Sequence, residues 1–345
     1  MTIAVMGAGS LGIVVGALLA RSGRDVVLVD ADEKNVAALN AGGARIVGSL
    51  DITVPVRAVL PSQMQGVYDI VLLLTKQTYN EAALTALLSH LGPDSTVCTL
   101  QNGIPEESVA ARVGIERTIG GTVGFGATWR EPGVSVLTSS LEALQNFGFD
   151  IGEIDGRVTP RLHRVKDALS AVGGCQIVEN LMPIRWSKLL MNATFSGVSA
   201  ALGCLFGDVL EDPRAMRFLS HIADETIKVA RANGVRLAEM QGEDMELLEL
   251  RPGETVDDKM AFYRRVWSRH AKLKASMLQD LEKGRKTEIN QINGYVCQKG
   301  RGAGVATPCN DLVVELVSEA EATKTLPSFD ANLERMRACL ERNAL

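Results

Sequence analysis

The chain opens Met1-Thr-Ile-Ala-Val-Met-Gly7-Ala-Gly9-Ser-Leu-Gly12, and the reading of this stretch decides the fold. Ile3 to Met6 is a short apolar run without helical period, glycines stand at 7, 9 and 12, and Leu11 to Ala20 begins a helical pattern. The order predicts strand, tight turn, helix. Gly7 serves a backbone bend that a Cβ would hinder, Gly9 leaves the main chain open to a pyrophosphate, and Gly12 lets helix and strand pack closely. The phosphate would sit at the helix N-terminus, where free N–H groups and the macrodipole favour negative charge. Three glycines alone also fit a packing turn that holds no ligand. The context favours the ligand, because the motif follows a strand and leads, past a helix stop at Gly23, into a second strand, Asp25 to Asp30.

Length and composition bound what else the chain can be. At 345 residues it is expected to form about two domains, and a hydrophobic content of 46% lets both be well buried. A formal net charge of -5 leaves no basic footprint for nucleic acid. Six cysteines, at 98, 175, 204, 297, 309 and 339, form no C-x-x-C and do not pair with the four histidines. That argues against a metal site or a disulfide framework and fits a reducing, cytoplasmic compartment. The apolar N-terminus lacks a basic flank and is interrupted by glycines, so it reads as core and not as an export signal. No charge-free run reaches the roughly 18 residues needed to cross a bilayer, so no membrane association is expected.

The second strand ends at Asp30, eighteen residues after Gly12. A carboxylate at that offset accepts hydrogen bonds from adenosine ribose hydroxyls and repels a 2′-phosphate, which favours NAD over NADP. The alternative is that Asp30 caps the helix starting near Glu33, and Arg21, Arg24 and Lys34 are close enough in sequence to receive a phosphate. Asp69 to Thr75 and Thr96 to Leu100 are continuous apolar runs, the mark of strands covered on both faces of a parallel sheet. They end at Lys76-Gln77 and Gln101-Asn102-Gly103. Ligands of open α/β sheets bind beyond such ends, so Lys76 and Asn102 are candidates for the nicotinamide side; singly, each also reads as a solvated lysine or a turn asparagine.

Residues 118 to 133 are glycine-rich, after which Val134 to Leu137, Phe147 to Ile151 and Cys175 to Val178 read as strands and Arg157 to Val172 as a helix. From Pro183 onward helical patterns dominate. The boundary is expected between Glu179 and Pro183, giving domains 1–180 and 181–345. In the predicted helix Ile184 to Leu202, Lys188, Asn192, Ser196 and Ser199 recur on one face of an otherwise apolar element. Unpaired buried polar groups cost about 1–3 kcal/mol each, so this stripe needs partners, water or a ligand; bulk solvent is the plainer alternative. An acidic block, Glu239 to Glu254, and a basic one, Lys259 to Lys274, read as two helices around Arg251-Pro252-Gly253 with no chemistry assigned. Gly284 breaks the helix that begins at Ser276, and Asn310 to Ala322 reads as an asparagine-capped helix.

Taken together, Gly7-x-Gly9-x-x-Gly12, Lys76, Gln101-Asn102-Gly103, Trp186-x-Lys188-x-x-x-Asn192 and Ser276-Met277-x-x-Asp280 through Gly284-Arg285-x-Thr287-Glu288-Ile289 resemble the ketopantoate reductase (2-dehydropantoate 2-reductase) family. The likeness runs in order over nearly the whole chain, and the last two segments are the most specific. It implies an α/β class, with an N-terminal Rossmann doubly wound sheet followed by an all-helical C-terminal domain for substrate and dimerisation, and a 2-oxo acid held between them. It implies hydride transfer from a reduced nicotinamide to the substrate carbonyl, with Lys188 and Glu288 catalytic. The cofactor positions it implies are Gly7, Gly9, Ser10, Leu11, Gly12, Asp30, Lys76, Asn102, Ala127 and Glu288. The substrate positions are Asn102, Lys188, Asn192, Ser196 and Ser276. An ammonium aimed at the developing oxyanion stabilises the transition state and can deliver the proton.

Two departures bear on the substrate. Ketopantoate-reducing members carry a second asparagine where this chain has Ser196, and a further one downstream where Gly203 to Asp208 has none. The family mostly prefers NADPH, against which stand Asp30, Ala31 and Asp32. The alternatives are an NAD-linked 2-hydroxy acid dehydrogenase for a different side chain, and an NAD(H)-binding regulator without turnover. A homodimer is the expected assembly.

Overall fold

The computed structural model describes residues 1–268, 271 and 274–345, and these divide into two compact units, Met1–Leu181 and Met182–Leu345.

The first unit is built on an eight-stranded sheet. Along the chain run β1 (Thr2–Met6), α1 (Ser10–Arg21), β2 (Asp25–Val29), α2 (Glu33–Gly42), β3 (Ala44–Gly48), β4 (Ile52–Val54), β5 (Arg57–Val59), β6 (Ile70–Leu73), α3 (Asn80–Leu87), β7 (Thr96–Thr99) and α4 (Glu106–Val113). Then come β8 (Thr118–Val123), β9 (Ala127–Glu131), β10 (Val134–Leu137), α5 (Leu141–Phe147), β11 (Phe149–Gly152), α6 (Pro160–Leu169) and β12 (Cys175–Ile177). The main sheet has the order β12-β11-β8-β7-β6-β1-β2-β5. From β5 to β8 every pairing is parallel; β11 runs antiparallel to β8 and parallel to β12. Side chains alternate between two cores: Ile3 and Val5 of β1 join one, Ala4 and Met6 the other. This is the doubly wound α/β arrangement, and the order reverses between β1 and β6, where such sheets bind ligands.

A second sheet of order β4-β3-β10-β9 packs on α1. It explains why α1 is buried from Gly12 through Leu19 instead of showing one wet face. Val134 to Leu137 forms a strand as expected, but in this smaller sheet. The glycine-rich stretch also conceals two strands that its composition hides: a Cβ at Gly120 would lie 2.3 Å from a Glu106 carboxylate oxygen, and one at Gly121 2.8 Å from the Ile151 side chain. These glycines permit close packing. Phe147 closes α5, so the next strand starts at Phe149, and α6 starts at Pro160 and not Arg157, because proline suits the first helical turn.

The second unit is helical: α7 (Leu181–Met191) runs into a π segment (Asn192–Gly197) and then α8 (Val198–Leu202). It continues through α9 (Phe206–Glu211), α10 (Pro213–Ala232), α11 (Val256–Trp267), α12 (Ser276–Glu282), α13 (Asn293–Ala303), α14 (Pro308–Thr323) and α15 (Phe329–Arg342). The acidic block does not form the expected helix. Apart from an isolated antiparallel bridge between Met240 and Glu243 and one 3-10 turn at Met245–Leu248 it is irregular, and its carboxylates are drawn onto neighbours: Glu246 and Glu249 onto Arg231, Glu243 onto Arg265, Glu254 onto Lys259. Of the basic stretch, residues 269, 270, 272 and 273 lie outside the described residues. Helix α12 ends before Gly284, whose φ of 61° is the left-handed conformation glycine favours.

Asn310 does not cap α14. Thr307 stands at the cap position and Pro308 at the first helical one, which moves Asn310 inside the first turn, fully buried. There the N–H groups of Cys309 and Asn310 donate to the Glu225 carboxylate at 2.8 and 2.9 Å, and Asn310 Nδ2 donates to it at 2.7 Å. Burial pushes Glu225 up to about 7 against these three donors. A carboxyl raised on folding binds its proton more tightly in the native state, so stability is greatest below the unfolded value of about 4.3. It declines as pH rises from there to about 7. Glu225→Gln is expected to remove that slope: urea midpoints at pH 5 and pH 8 will lie closer together in the variant than in the wild type, and equal slopes would place the proton elsewhere.

Candidate functional site

The loop between β1 and α1 owes its shape to two close approaches. Gly7 has φ of 94°, and a Cβ there would lie 2.7 Å from the Thr75 amide nitrogen at the end of β6. A Cβ at Gly12 would lie 1.9 Å from the Gly7 carbonyl oxygen. Gly9 differs: nothing lies within 4 Å of where its Cβ would be, although its φ of -76° suits any residue. It leaves open space in front of the α1 N-terminus, whose first turn carries no acidic side chain. An anion fits there, because the free N–H groups at the helix start have a donor's charge and no acidic side chain opposes it.

Asp30 lies at the carboxyl end of β2. The cap of α2 is Asp32, whose Oδ1 accepts from Lys34 and Asn35 N–H, so Asp30 is not needed in that role. Asp30 Oδ1 accepts from Asp32 N–H at 2.9 Å and Oδ2 from Asn35 Nδ2 at 3.3 Å. Burial raises its pKa, and bonds from the Asp32 N–H, Asn35 and the Ala8 N–H oppose the rise. Arg24, a possible phosphate receiver by sequence, is held instead by Asp167 at 2.8 Å.

Asn35 was not legible as a site residue. It is buried inside α2, its Nδ2 also donates to the Ala8 carbonyl at 2.9 Å, and its Oδ1 accepts from Gly133 N–H at 2.8 Å. One side chain thus ties the glycine loop, Asp30 and the β9–β10 turn. An asparagine in a helix carries no periodic or motif signal. Ser10 is fastened to the second sheet as well, its carbonyl accepting from Ser135 Oγ at 2.8 Å. Leu11 is half-buried against the same core.

Lys76 and Asn102 follow the ends of the adjacent strands β6 and β7. Gln77 Nε2 donates to the Asn102 carbonyl at 2.5 Å, and buried Gln101 donates to the Thr75 carbonyl at 2.8 Å and Asn80 Oδ1 at 2.6 Å. The glutamines lace the two loops together and leave both candidates half-buried. Ala127 starts β9 in the smaller sheet, where it pairs with Leu137, and packs on the core.

In the helical unit Lys188 and Asn192 lie one turn apart, both half-buried, with Ser196 and Ser199 following, both buried. Asn192 Nδ2, Ser196 Oγ and Ser199 Oγ are buried atoms with no hydrogen-bond partner among the described residues. The helix is not the regular one expected. Its π segment begins at Asn192, and such segments concentrate at functional sites. Elsewhere in the unit, α12 packs on α8 and the π segment with Ser276 exposed in its first turn. Glu288 is buried just before the 3-10 turn Ile289–Gln291. Among the described residues no cluster could hold a metal ion, all six cysteines are free, and no helix is long and apolar enough to cross a membrane.

A doubly wound sheet, this glycine loop and the family likeness that follows define an NAD(P)-dependent oxidoreductase. The model described as "Ketopantoate reductase PanE/ApbA" matches residues 3–148, and "Ketopantoate reductase PanE/ApbA C terminal" matches 180–321. The chain belongs to this family, whose members act on 2-oxo and 2-hydroxy acids. Among its relatives is a 2-dehydropantoate 2-reductase of Archaeoglobus fulgidus, 28% identical over 92% of this chain and 97% of the relative. Among solved structures, a D-mandelate dehydrogenase with NADH and anilino(oxo)acetate aligns with a TM-score of 0.80 at 26% identity, covering 94% of this chain and 99% of that one. A 2-dehydropantoate 2-reductase from Geobacter metallireducens aligns at 0.77 and 28% identity, covering 93% and 100%.

Asn35→Ala would leave the Ala8 carbonyl and Gly133 N–H unpartnered. It is expected to lower stability by about 1–3 kcal/mol and to weaken NADH binding at temperatures where the variant is folded. Urea titration and NADH fluorescence check the two; unaltered NADH affinity would detach Asn35 from the nucleotide loop.

Proposed function

We propose that this protein reduces a 2-oxo acid with a branched or bulky side chain to its 2-hydroxy acid, with NADH as cofactor and 2-dehydropantoate as the leading substrate. The observation that carries the reading is the face of α7 and the π segment, where a half-buried lysine is followed by buried polar atoms that the described residues leave unpartnered. Leaving such groups dry and unpaired costs about 1–3 kcal/mol each, and a substrate with a carboxylate and a carbonyl would satisfy them. In this reading the Gly7–Gly12 loop and the α1 N-terminus hold the cofactor's pyrophosphate, Asp30 its adenosine ribose, and Lys76 and Asn102 line the nicotinamide side. Asp30 supports NADH, since a carboxylate there meets ribose hydroxyls well and a phosphate badly. The cofactor supplies hydride to the carbonyl carbon. The Lys188 ammonium stabilises the charge developing on the carbonyl oxygen and delivers its proton to that atom. Glu288 balances and orients the ammonium, while Asn192, Ser196 and Ser276 bind the substrate.

A second reading changes only the acid. Ser196 offers a shorter, single hydroxyl where the resemblance to ketopantoate-reducing members implies an asparagine, and the likeness to D-mandelate dehydrogenase supports a different or aromatic side chain.

The test is a screen of NADH and NADPH oxidation against a panel of 2-oxo acids that includes 2-dehydropantoate and phenylglyoxylate, run beside Lys188→Ala. Turnover is expected with NADH preferred, and kcat in the variant lower by at least about 10²-fold at little-changed NADH affinity. Wild-type turnover in Lys188→Ala would remove that residue from the chemistry.

A further inference from the structure

A π segment interrupts the α-helical hydrogen-bond ladder, so carbonyls within it and at its junction are open to side-chain donors. Here they come from two sources. Thr194 Oγ1 lies 2.8 Å from the Leu190 carbonyl and 3.1 Å from that of Met191, at the junction with α7. The Ala193 carbonyl accepts from Asn293 Nδ2 at 3.1 Å, a residue a hundred positions away and fully buried at the start of α13.

Asn293 is itself held. Its Nδ2 donates to Asn310 Oδ1 at 3.0 Å, and Asn310 Nδ2 donates to Glu225. The amide orientation is forced: both the Ala193 carbonyl and Asn310 Oδ1 can only accept, so the Asn293 nitrogen must face them. The Asn293 oxygen is thereby turned toward Gly197, where a Cβ would come within 2.5 Å of it. Gly197 ends the π segment. Asn293 therefore grips the segment at two points, a hydrogen bond at Ala193 and a steric stop at Gly197. Between them lies Ser196; one residue before lies Asn192. A change of rotation here would redirect both side chains, because each is fixed to the backbone that Asn293 holds.

We propose that Asn293 is a positioning residue for the oxo-acid site: it sets the rotation of the π segment, and through it the directions of the Asn192 amide and Ser196 hydroxyl that select the acid's side chain. The proposal rests on the reading that Asn192 and Ser196 bind substrate. Its anchors far off in sequence are Asn310 on α14 and Glu225 on α10, two helices that themselves pack against the π segment.

The test uses the full-length protein with Asn293→Ala and the milder Asn293→Ser, beside Asn192→Ala. kcat and KM are measured for 2-dehydropantoate, 2-oxoisovalerate and phenylglyoxylate, NADH affinity by fluorescence, and folding by circular dichroism. The expected result is a KM for the best acid raised about tenfold, the scale of one lost hydrogen bond. The ratio of kcat/KM between acids is expected to shift by at least about threefold, because discrimination follows placement of polar groups. NADH affinity is expected to stay within about twofold. If Asn293→Ala does not fold, Asn293→Ser decides on the same readouts. Unchanged KM and ratio, or a uniform loss accompanied by equally weakened NADH binding, would show that Asn293 only supports the core. If Asn192→Ala raises KM while the Asn293 variants do not, this proposal alone falls. If the wild type reduces none of the acids, the functional reading falls and takes the proposal with it.

Discussion

The near-collision of Gly12 with the Gly7 carbonyl, where a single methyl carbon would have 1.9 Å to occupy, is the constraint on which the first unit depends. It lets α1 start directly against the end of β1 with its free N–H groups facing outward. The second sheet and Asn35 then hold that arrangement from outside: Ser135 bonds the Ser10 carbonyl, and Asn35 bonds Ala8 and Asp30 together. A loop made largely of glycine and alanine can be positioned only by such surroundings, since it has few side chains of its own with which to brace itself.

The second unit solves the opposite problem. It places polar side chains on an element that is otherwise core. Lys188, Asn192, Ser196 and Ser199 sit on a helix whose other residues are mostly apolar and buried, and three of their polar atoms have no partner among the described residues. Sequences discard such groups from cores unless something repays their desolvation. The π segment concentrates the departure in one stretch, and the buried Asn293, Asn310 and Glu225 chain shows that its shape is anchored deep in the bundle.

What was legible in the sequence was whatever a local rule governs. The apolar runs of β6 and β7 and the glycine spacing depend on burial and backbone freedom and pointed to the doubly wound half, while the helical periodicity from Pro183 onward pointed to the helical half. The losses have physical causes too. The strand β8 is written in glycines because Glu106 and Ile151 press on it, so composition read as loop. Asn310 looked like a cap, but Pro308 and a carboxylate eighty-five residues away took over the helix start. The acidic block looked helical by charge pattern, yet arginines and a lysine on other segments hold it irregular. Asn35 and Asn293 escaped altogether, since each acts through partners far off in sequence.

The central claim is that the β1–α1 loop is shaped for a ligand and not merely for packing, and Gly9 separates the two. Its backbone suits alanine and its missing Cβ faces open space, so Gly9→Ala should fold as the wild type does, with Tm moved by no more than about 2 °C. The direct measurement is NADH binding to that variant by fluorescence titration alongside its thermal melt. The account predicts an intact melt with NADH affinity reduced at least about tenfold, because the added methyl occupies the pyrophosphate's approach. A variant that melts normally and binds NADH as tightly as the wild type would contradict it.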